Sequence, residues 1–205
     1  MNNETPGFYP VRTTTNILRS SIDSKHCTKM IEWSGQHIDN SVVSNLIFEK
    51  RTNWDIHTKP GFEEVYWPMI QKIYSMLETY INTEAIYAHG CDSYGVPPNI
   101  DINMLPIDVW TAWFGDDGAT LPHTHASLMN HFSTVLYLQL PKGKTSLEFF
   151  SHPSSKTVIR DLKEGDLLLF PSNISHYTFD VERGRILTSA NWAFNVDYSR
   201  IFGNE

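Results

Sequence analysis

The chain of 205 residues carries a formal net charge of −7 at pH 7, and 40% of its residues are apolar and 13% aromatic. This length predicts one domain with a substantial core, and the composition excludes a disordered chain. Because the balance is acidic and no basic run occurs, nucleic acid and anionic membrane surfaces are not expected as main partners.

The sequence lacks the patterns of a secreted or membrane-bound protein. Segment 1–16 has no basic region followed by an apolar one, and no stretch approaches the ~18 apolar residues of a membrane span. The two cysteines, Cys27 and Cys91, indicate a reducing compartment rather than a disulfide framework. We therefore expect a cytoplasmic protein.

The N-terminal half predicts two helices. In segment 21–36, Asp23 is a plausible N-cap, followed by apolar residues at helical spacing. Segment 62–82 carries one apolar helical stripe, and Pro68 inside it predicts that the helix begins or kinks there. The stripe consists of Phe62, Tyr66, Met69, Ile73, Met76, Leu77 and Tyr80.

The C-terminal half predicts eight short strands separated by turns rich in Gly, Pro, Asp, Asn and Lys. They cover 106–114, 120–125, 133–140, 145–150, 156–162, 166–171, 175–181 and 184–196. Eight such strands favour a mainly β (α+β) fold, a double-stranded β-helix or jelly roll with N-terminal supporting helices. We expect one domain, 1–205, in which 1–102 supports a jelly-roll core formed by 103–205.

Three histidines lie within nine residues in this half. In a strand, His123 and His125 share a face and can meet one metal ion, and two imidazoles suit Fe, Zn, Ni or Cu. The alternative is an ordinary surface pair on a strand. His176 follows an apolar strand and a proline-containing turn, so it is a candidate third ligand or a polar residue at the rim.

Arg185 lies nine residues after His176, and this order makes the pattern recognisable. The stretches "HTH", "STVLYL", "LLLFPSNISH" and "GRILTS" resemble those of Fe(II)/2-oxoglutarate-dependent oxygenases of the prolyl-hydroxylase type. They are most similar to the small oxygenases of marine phages and bacteria. The resemblance is strong over the C-terminal half, and "RTNWD" at 51–55 resembles a weakly shared N-terminal element.

The resemblance implies a dioxygenase that hydroxylates an unidentified substrate with O₂ while 2-oxoglutarate is decarboxylated to succinate. It implies Fe(II) bound by His123, His125 and His176. The far carboxylate of 2-oxoglutarate would then pair with Arg185, whose planar guanidinium suits bidentate contact, and with the Tyr137 hydroxyl. The alternatives are an aromatic core residue at Tyr137 and a surface charge at Arg185.

His125 departs from the usual pattern, because the commonest facial triad has two histidines and one carboxylate. An all-histidine triad is one outcome. His125 could instead orient His123 or the substrate, or His131 could supply the third contact. Asp116 and Asp117 lie upstream in a turn and lack the usual spacing.

Weaker candidates for substrate contact flank the expected mouth of the barrel, and for each of them packing or solvation is an equal alternative. They are Trp110, Trp113, Asn130, His131, Asn191 and Trp192. Two other functions compete with an oxygenase. One is a metal-binding, cupin-like small-molecule binding protein, because Gly165, Pro171 and His176 have the spacing of the second cupin motif. The other is an interaction protein that keeps the barrel without chemistry.

Overall fold

The computed structural model describes residues 17–40, 48–89, 102–115, 118–127, 130–141, 147–152, 155–181 and 183–196. The N-terminal elements are β1 (Leu18–Ser21), α1 (Ser24–Gly35), β2 (Lys50–Arg51), a 3₁₀ helix (Ile56–Thr58) and α2 (Phe62–His89). The strands that follow are β3 (Ile102–Trp113), β4 (Gly118–His123), β5 (Phe132–Gln139), β6 (Leu147–His152), β7 (Ser155–Ile159), β8 (Asp166–Pro171), β9 (Ser175–Val181) and β10 (Ile186–Val196).

Both helices begin for local reasons. The Asp23 side chain accepts a hydrogen bond from the Lys25 N–H at 3.0 Å and so caps α1, as the sequence predicts. Helix α2 begins at Phe62, six residues before Pro68, so the proline marks no start. Because proline has no N–H, the carbonyl of Glu64 receives no helical bond from it.

Antiparallel pairing places the strands in two sheets. The six-stranded sheet has the order β1-β8-β5-β10-β3-β2, and the four-stranded sheet has the order β4-β9-β6-β7. All eight strands predicted in the C-terminal half are present, and most successive strands pass from one sheet to the other. This arrangement of mostly antiparallel sheet with few helices is consistent with a jelly roll.

The N-terminal half also contributes two strands that the sequence did not predict. Strand β1 pairs with β8 in the register Leu18↔Leu169, and β2 pairs with β3. The two strands are four and two residues long, too short for alternation to identify them. Arg19 on β1 forms an ion pair with the buried Asp166 at 2.6 Å, which ties this edge strand to β8.

Strand β5 separates two apolar cores because its side chains alternate. Leu136 and Leu138 face the helices, where they join the core formed with α1 and α2. Val135 and Tyr137 face the other way, into the core that also holds Trp110, Phe149 and Phe170 from both sheets. The inner face of the six-stranded sheet therefore looks toward the four-stranded sheet.

A buried group of hydroxyls joins the helices to the six-stranded sheet. The Tyr66 hydroxyl of α2 lies 2.7 Å from Ser34 Oγ of α1, 3.0 Å from Thr111 Oγ1 of β3 and 3.1 Å from Thr188 Oγ1 of β10. Every member is fully or almost fully buried. Burial raises the pKa of Tyr66, so the phenol stays neutral and can donate one of these bonds.

Replacing Tyr66 with phenylalanine removes the central hydroxyl of this group. We expect Tyr66→Phe to lower the free energy of unfolding by about 1 to 2 kcal/mol, because its buried partners lose a hydrogen bond. Urea unfolding followed by circular dichroism measures the effect. Tyr74→Phe, on the same helix and half-buried, is the matched control. Equal stabilities of the two variants would contradict the anchoring role.

Candidate functional site

Three histidines converge where β4 meets β9. Strand pairing sets His123 of β4 opposite His176 of β9. One nitrogen from each of His123, His125 and His176 lies within 4.8 Å of the other two. His176 is buried and the other two are half-buried, so the group opens toward solvent on one side. Ligand atoms grouped this closely form a candidate site for one metal ion.

His125 does not lie on the predicted strand. Strand β4 ends at His123, and His125 follows it in a loop. Two contacts fix it there. Its backbone N–H donates to the Ser172 carbonyl at 2.9 Å, and its own carbonyl accepts a bond from Asn130 Nδ2 at 3.1 Å. The side chain reaches the other histidines because of this docking, rather than through strand alternation.

Backbone carbonyls orient two of the imidazoles. His123 Nδ1 lies 2.7 Å from the Leu121 carbonyl oxygen, and His176 Nδ1 lies 3.1 Å from the Ile174 carbonyl oxygen. A carbonyl only accepts hydrogen bonds, so each Nδ1 carries the proton and donates it. Each Nε2 then presents a lone pair, as in histidines that bind metals.

Electrostatics keeps the two more buried histidines neutral. Burial lowers the pKa of His176 to about 3 and that of His125 to about 4, and the neighbouring imidazoles add to both shifts. Asp108 acts in the opposite direction on His125. Neutral imidazole is the form that coordinates a metal, so a proton does not compete for the site near pH 7.

Apolar rings enclose the histidines from the inner core. Phe170 contacts His176 edge-on with 4.8 Å between ring centroids, and Trp110 lies 5.8 Å from the His125 ring. Phe149 lies 6.0 Å from His176. These rings exclude water from the inner side of the cluster and lower the local dielectric.

A polar chain runs along the inner face of the six-stranded sheet beside the cluster. Asn191 accepts a bond from Ser133 Oγ at 2.9 Å and donates to Asp108 Oδ2 at 3.2 Å. Ser133 Oγ also lies 3.0 Å from Ser172 Oγ, in the turn that holds His125. The chain therefore links the backbone support of His125 to a carboxylate that the sequence analysis did not select. Asp108 belongs to an alternating strand, and nothing in that pattern separates it from an ordinary edge carboxylate.

Tyr137 and Arg185 lie on the inner face as well, and both are almost completely buried. Tyr137 pairs in register with Leu187 of β10, two residues after Arg185. Burial raises the pKa of the Tyr137 hydroxyl, and the positive charge of Arg185 partly opposes this shift. Within the described residues the Tyr137 hydroxyl has no hydrogen-bond partner. The burial of Arg185 rules out its alternative as a surface charge.

The remaining candidates for substrate contact lie on two different faces of the six-stranded sheet. Trp110, Asn130 and Asn191 lie beside the histidines, through the contacts given above. Trp113 and Trp192 instead belong to the core on the helix side, where Trp192 Nε1 donates to Thr134 Oγ1 at 2.9 Å. The sheet separates them from the cluster, which argues against substrate contact for either. Both placements follow from strand alternation, because Trp113 is three residues after Trp110 on β3 and Trp192 directly follows Asn191 on β10.

His131 is exposed and does not belong to the histidine cluster found among the described residues. The hypothesis that it supplies the third ligand therefore loses its support. Asp116 and Asp117 lie outside the described residues. None of the helices described is long and apolar enough to cross a membrane.

Comparison with known proteins shows the fold. No sequence-family model matches the chain, and no curated protein matches it in sequence. Solved structures do resemble it. A prolyl-4-hydroxylase from Pseudomonas putida is 13% identical with a TM-score of 0.56, over 88% of this chain and 93% of its own.

Two further structures are similar over most of both chains. A prolyl hydroxylase from Trichoplax adhaerens, solved with a hypoxia-inducible-factor peptide, is 15% identical with a TM-score of 0.57, over 93% of this chain and 87% of its own. HygX from Streptomyces hygroscopicus, solved with nickel, 2-oxoglutarate and hygromycin B, is 11% identical with a TM-score of 0.58. The similarity covers 88% of this chain and 83% of HygX. The chain thus shares the β-rich fold of 2-oxoglutarate–Fe(II) oxygenases.

The depressed pKa values make the stability of the metal-free protein depend on pH. Unfolding returns His176 and His125 to a pKa near 6.5, so the unfolded chain binds more protons between about pH 4 and 6.5. The contribution of these histidines to the free energy of unfolding is therefore complete above about pH 6.5. It decreases as the pH falls, by up to about 1.4 kcal/mol per pH unit for each histidine.

Urea unfolding of the metal-free protein at pH 7.0, 6.0 and 5.0 tests this dependence. We expect His176→Gln to reduce the slope, because glutamine does not titrate in this range. His37→Gln, which changes a half-buried histidine on the helix side and away from the cluster, is the control. A His176→Gln slope equal to that of wild type would contradict burial as the cause.

Proposed function

We propose that this protein is an Fe(II)- and 2-oxoglutarate-dependent dioxygenase that hydroxylates an unidentified substrate. Its core would be a double-stranded β-helix formed by residues 103–205 and supported by 1–102. The observation that carries the proposal is the cluster of three histidines at the inner core, which also holds a buried tyrosine beside a buried arginine. Its shared fold with 2-oxoglutarate oxygenases agrees with this chemistry.

His123, His125 and His176 would hold the metal. Three imidazoles suit Fe(II) and leave coordination positions for a chelating co-substrate and O₂. The two carbonyl contacts at Nδ1 present Nε2 to the ion, and the surrounding rings keep water away from the inner side. A triad without a carboxylate leaves the site one unit more positive, and Asp108 nearby offsets part of this charge.

Tyr137 and Arg185 would hold the far carboxylate of 2-oxoglutarate. A guanidinium that is 1% exposed is stabilised by an anion, and the hydroxyl of Tyr137 is an adjacent donor. An anion placed there lies in the inner core, with the metal site nearer to solvent. Bound Fe(II) and 2-oxoglutarate would supply the oxidative chemistry, in which O₂ is consumed and succinate and CO₂ are released.

The second candidate, a cupin-like metal-binding protein without oxygenase activity, would need the same histidines. It has no need for a buried arginine and tyrosine on the inner face, and these two residues favour the oxygenase. The resemblance to phage and marine bacterial oxygenases and the cytoplasmic location stay predictions. The similar structures test neither of these two predictions.

Metal and co-substrate binding test the proposal together. Anaerobic titration of the protein with Fe(II) and 2-oxoglutarate should produce the weak visible charge-transfer band of the chelated pair. We expect His176→Ala to abolish the band, because a buried ligand is lost. His131→Ala, which removes an exposed histidine from the neighbouring loop, should leave it unchanged. Wild-type protein that gives no band, or a band that survives in His176→Ala, would contradict the proposal.

The co-substrate site is tested by the affinity for 2-oxoglutarate. We expect Arg185→Gln to weaken binding by tenfold or more and Tyr137→Phe by a smaller factor, because hydrogen bonds to a charged group contribute about 1.5 to 3 kcal/mol. Calorimetric titration with Mn(II) present measures both. Arg183→Gln, an exposed arginine two residues away, is the control. If Arg185→Gln bound 2-oxoglutarate with unchanged affinity, the far carboxylate could not bind at Arg185.

His125 is the ligand that departs from the common triad, so it needs its own test. If it coordinates the metal, His125→Asp restores the usual carboxylate and keeps Mn(II) affinity at or above that of wild type. His125→Ala should lose affinity by at least tenfold. Calorimetric Mn(II) titration without 2-oxoglutarate compares the variants. Wild-type affinity in His125→Ala would mean that the ion has two protein ligands at most.

A further inference from the structure

An exposed tryptophan near the histidine cluster belongs to a continuous row of contacting groups. Arg51 Cζ lies 4.3 Å from the ring centroid of Trp54, and the Trp54 ring lies 4.3 Å from that of Trp110. Trp110 in turn contacts the ring of His125. The row, defined as Arg51, Trp54 and Trp110, thus leads from the edge of the six-stranded sheet to the metal site.

Strand pairing places the row on the inner face. Arg51 is opposite Ala112 in the register of β2 with β3, and Ala112 belongs to the inner core together with Trp110. Its neighbour Lys50 lies over Trp113, on the helix side. Trp54 is fixed by a bond from the Val109 N–H to its carbonyl at 2.8 Å. The row is therefore part of the wall of the site, held by backbone.

The exposed fractions of the two indoles differ in a way that suits a ligand. Trp110 is 5% exposed and acts as the base of the wall, whereas Trp54 is 41% exposed although it lies beside a buried core. Arg51 lies over this indole, and the part of the ring left open to water at the mouth of the site offers an apolar surface against which a planar group can pack.

Arg51 adds a charge at the outer end of the wall. Its Nη1 is buried and has no hydrogen-bond partner within the described residues, and the carboxylate of Asp39 acts on its charge from the protein side. The nearby Asp55 is paired with Lys59 at 3.2 Å, and Asp108 accepts a bond from Asn191. Stacking on Trp54 holds the guanidinium plane, which leaves its fork available to a carboxylate or phosphate.

We propose that Arg51, Trp54 and Trp110 form the substrate subsite, and that the substrate carries a flat apolar group with an acidic substituent. The flat group would lie on Trp54, the acid would contact Arg51, and the remainder would extend past Trp110 toward the histidines. This assignment rests on the proposed function, which makes the histidine cluster the reacting centre. It specifies the substrate class, an aromatic or other planar acid.

Pairs of small probes that differ only in an acidic group separate the apolar contribution to binding from the contribution of the charge. Saturation-transfer NMR on the full chain, with excess 2-oxoglutarate present to occupy other anion sites, gives dissociation constants for indole-3-acetate and indole-3-acetamide. Phenyl phosphate and phenol form the second pair and distinguish a phosphate from a carboxylate. We expect at least one acid to bind tenfold or more tightly than its neutral partner.

Variants assign the preference to residues. Arg51→Gln should remove the preference for the acid while leaving the dissociation constant of the neutral probe unchanged, and Arg51→Lys should keep part of it. Trp54→Ala should weaken the binding of the acid and of the neutral probe alike. Trp67→Ala, which removes a 52%-exposed tryptophan on α2, is the control and should change neither. Circular dichroism checks that each variant is folded.

The proposal is overturned if no acid binds more tightly than its neutral partner, or if the preference persists in Arg51→Gln. It is equally overturned if Trp54→Ala and Trp67→Ala behave alike. None of these outcomes changes the Fe(II) and 2-oxoglutarate band. A wrong subsite therefore leaves that band intact, whereas a wrong function removes it.

Discussion

The antiparallel register of β4 with β9 is the constraint on which the site depends. It sets His123 opposite His176 although they are 53 positions apart in the chain. Because strand side chains alternate between faces, a slip of one residue would turn His176 away from the inner core. The docking of the loop after β4 onto Ser172, at the turn before β9, then adds His125 to the same cluster. One strand pair and the turn beside it thus assemble all three imidazoles.

The two parts of the site lie at different depths between the two sheets. The half-buried histidines lie nearest to solvent, and the almost fully buried Tyr137 and Arg185 lie in the inner core. On the opposite face, the helices and the hydroxyl group around Tyr66 hold the sheet in place. This division explains why a single strand such as β5 contributes both to stability and to the proposed binding of 2-oxoglutarate.

Sequence patterns predicted much of this arrangement, and the misses have physical causes. Alternation and turn residues predicted all eight C-terminal strands, and Tyr137 lies on the face that alternation indicates. The strands β1 and β2 were missed because their pairing is set by tertiary contacts over four and two residues. Asn191 and Trp192 lie on opposite faces because they are consecutive residues of one strand, so the histidine side receives Asn191 alone. Arg51 and Trp54 were noticed only as part of a weak motif, since contact with Trp110 requires the folded sheet.

The most direct test of the account is the position of a metal ion in crystals grown anaerobically with Mn(II) and 2-oxoglutarate. The account predicts one strong anomalous-scattering peak within coordination distance of one nitrogen each of His123, His125 and His176. It also predicts co-substrate density that ends at Tyr137 and Arg185. A peak away from these histidines, or 2-oxoglutarate bound elsewhere, would contradict the central claim that this cluster and this buried pair form one active site.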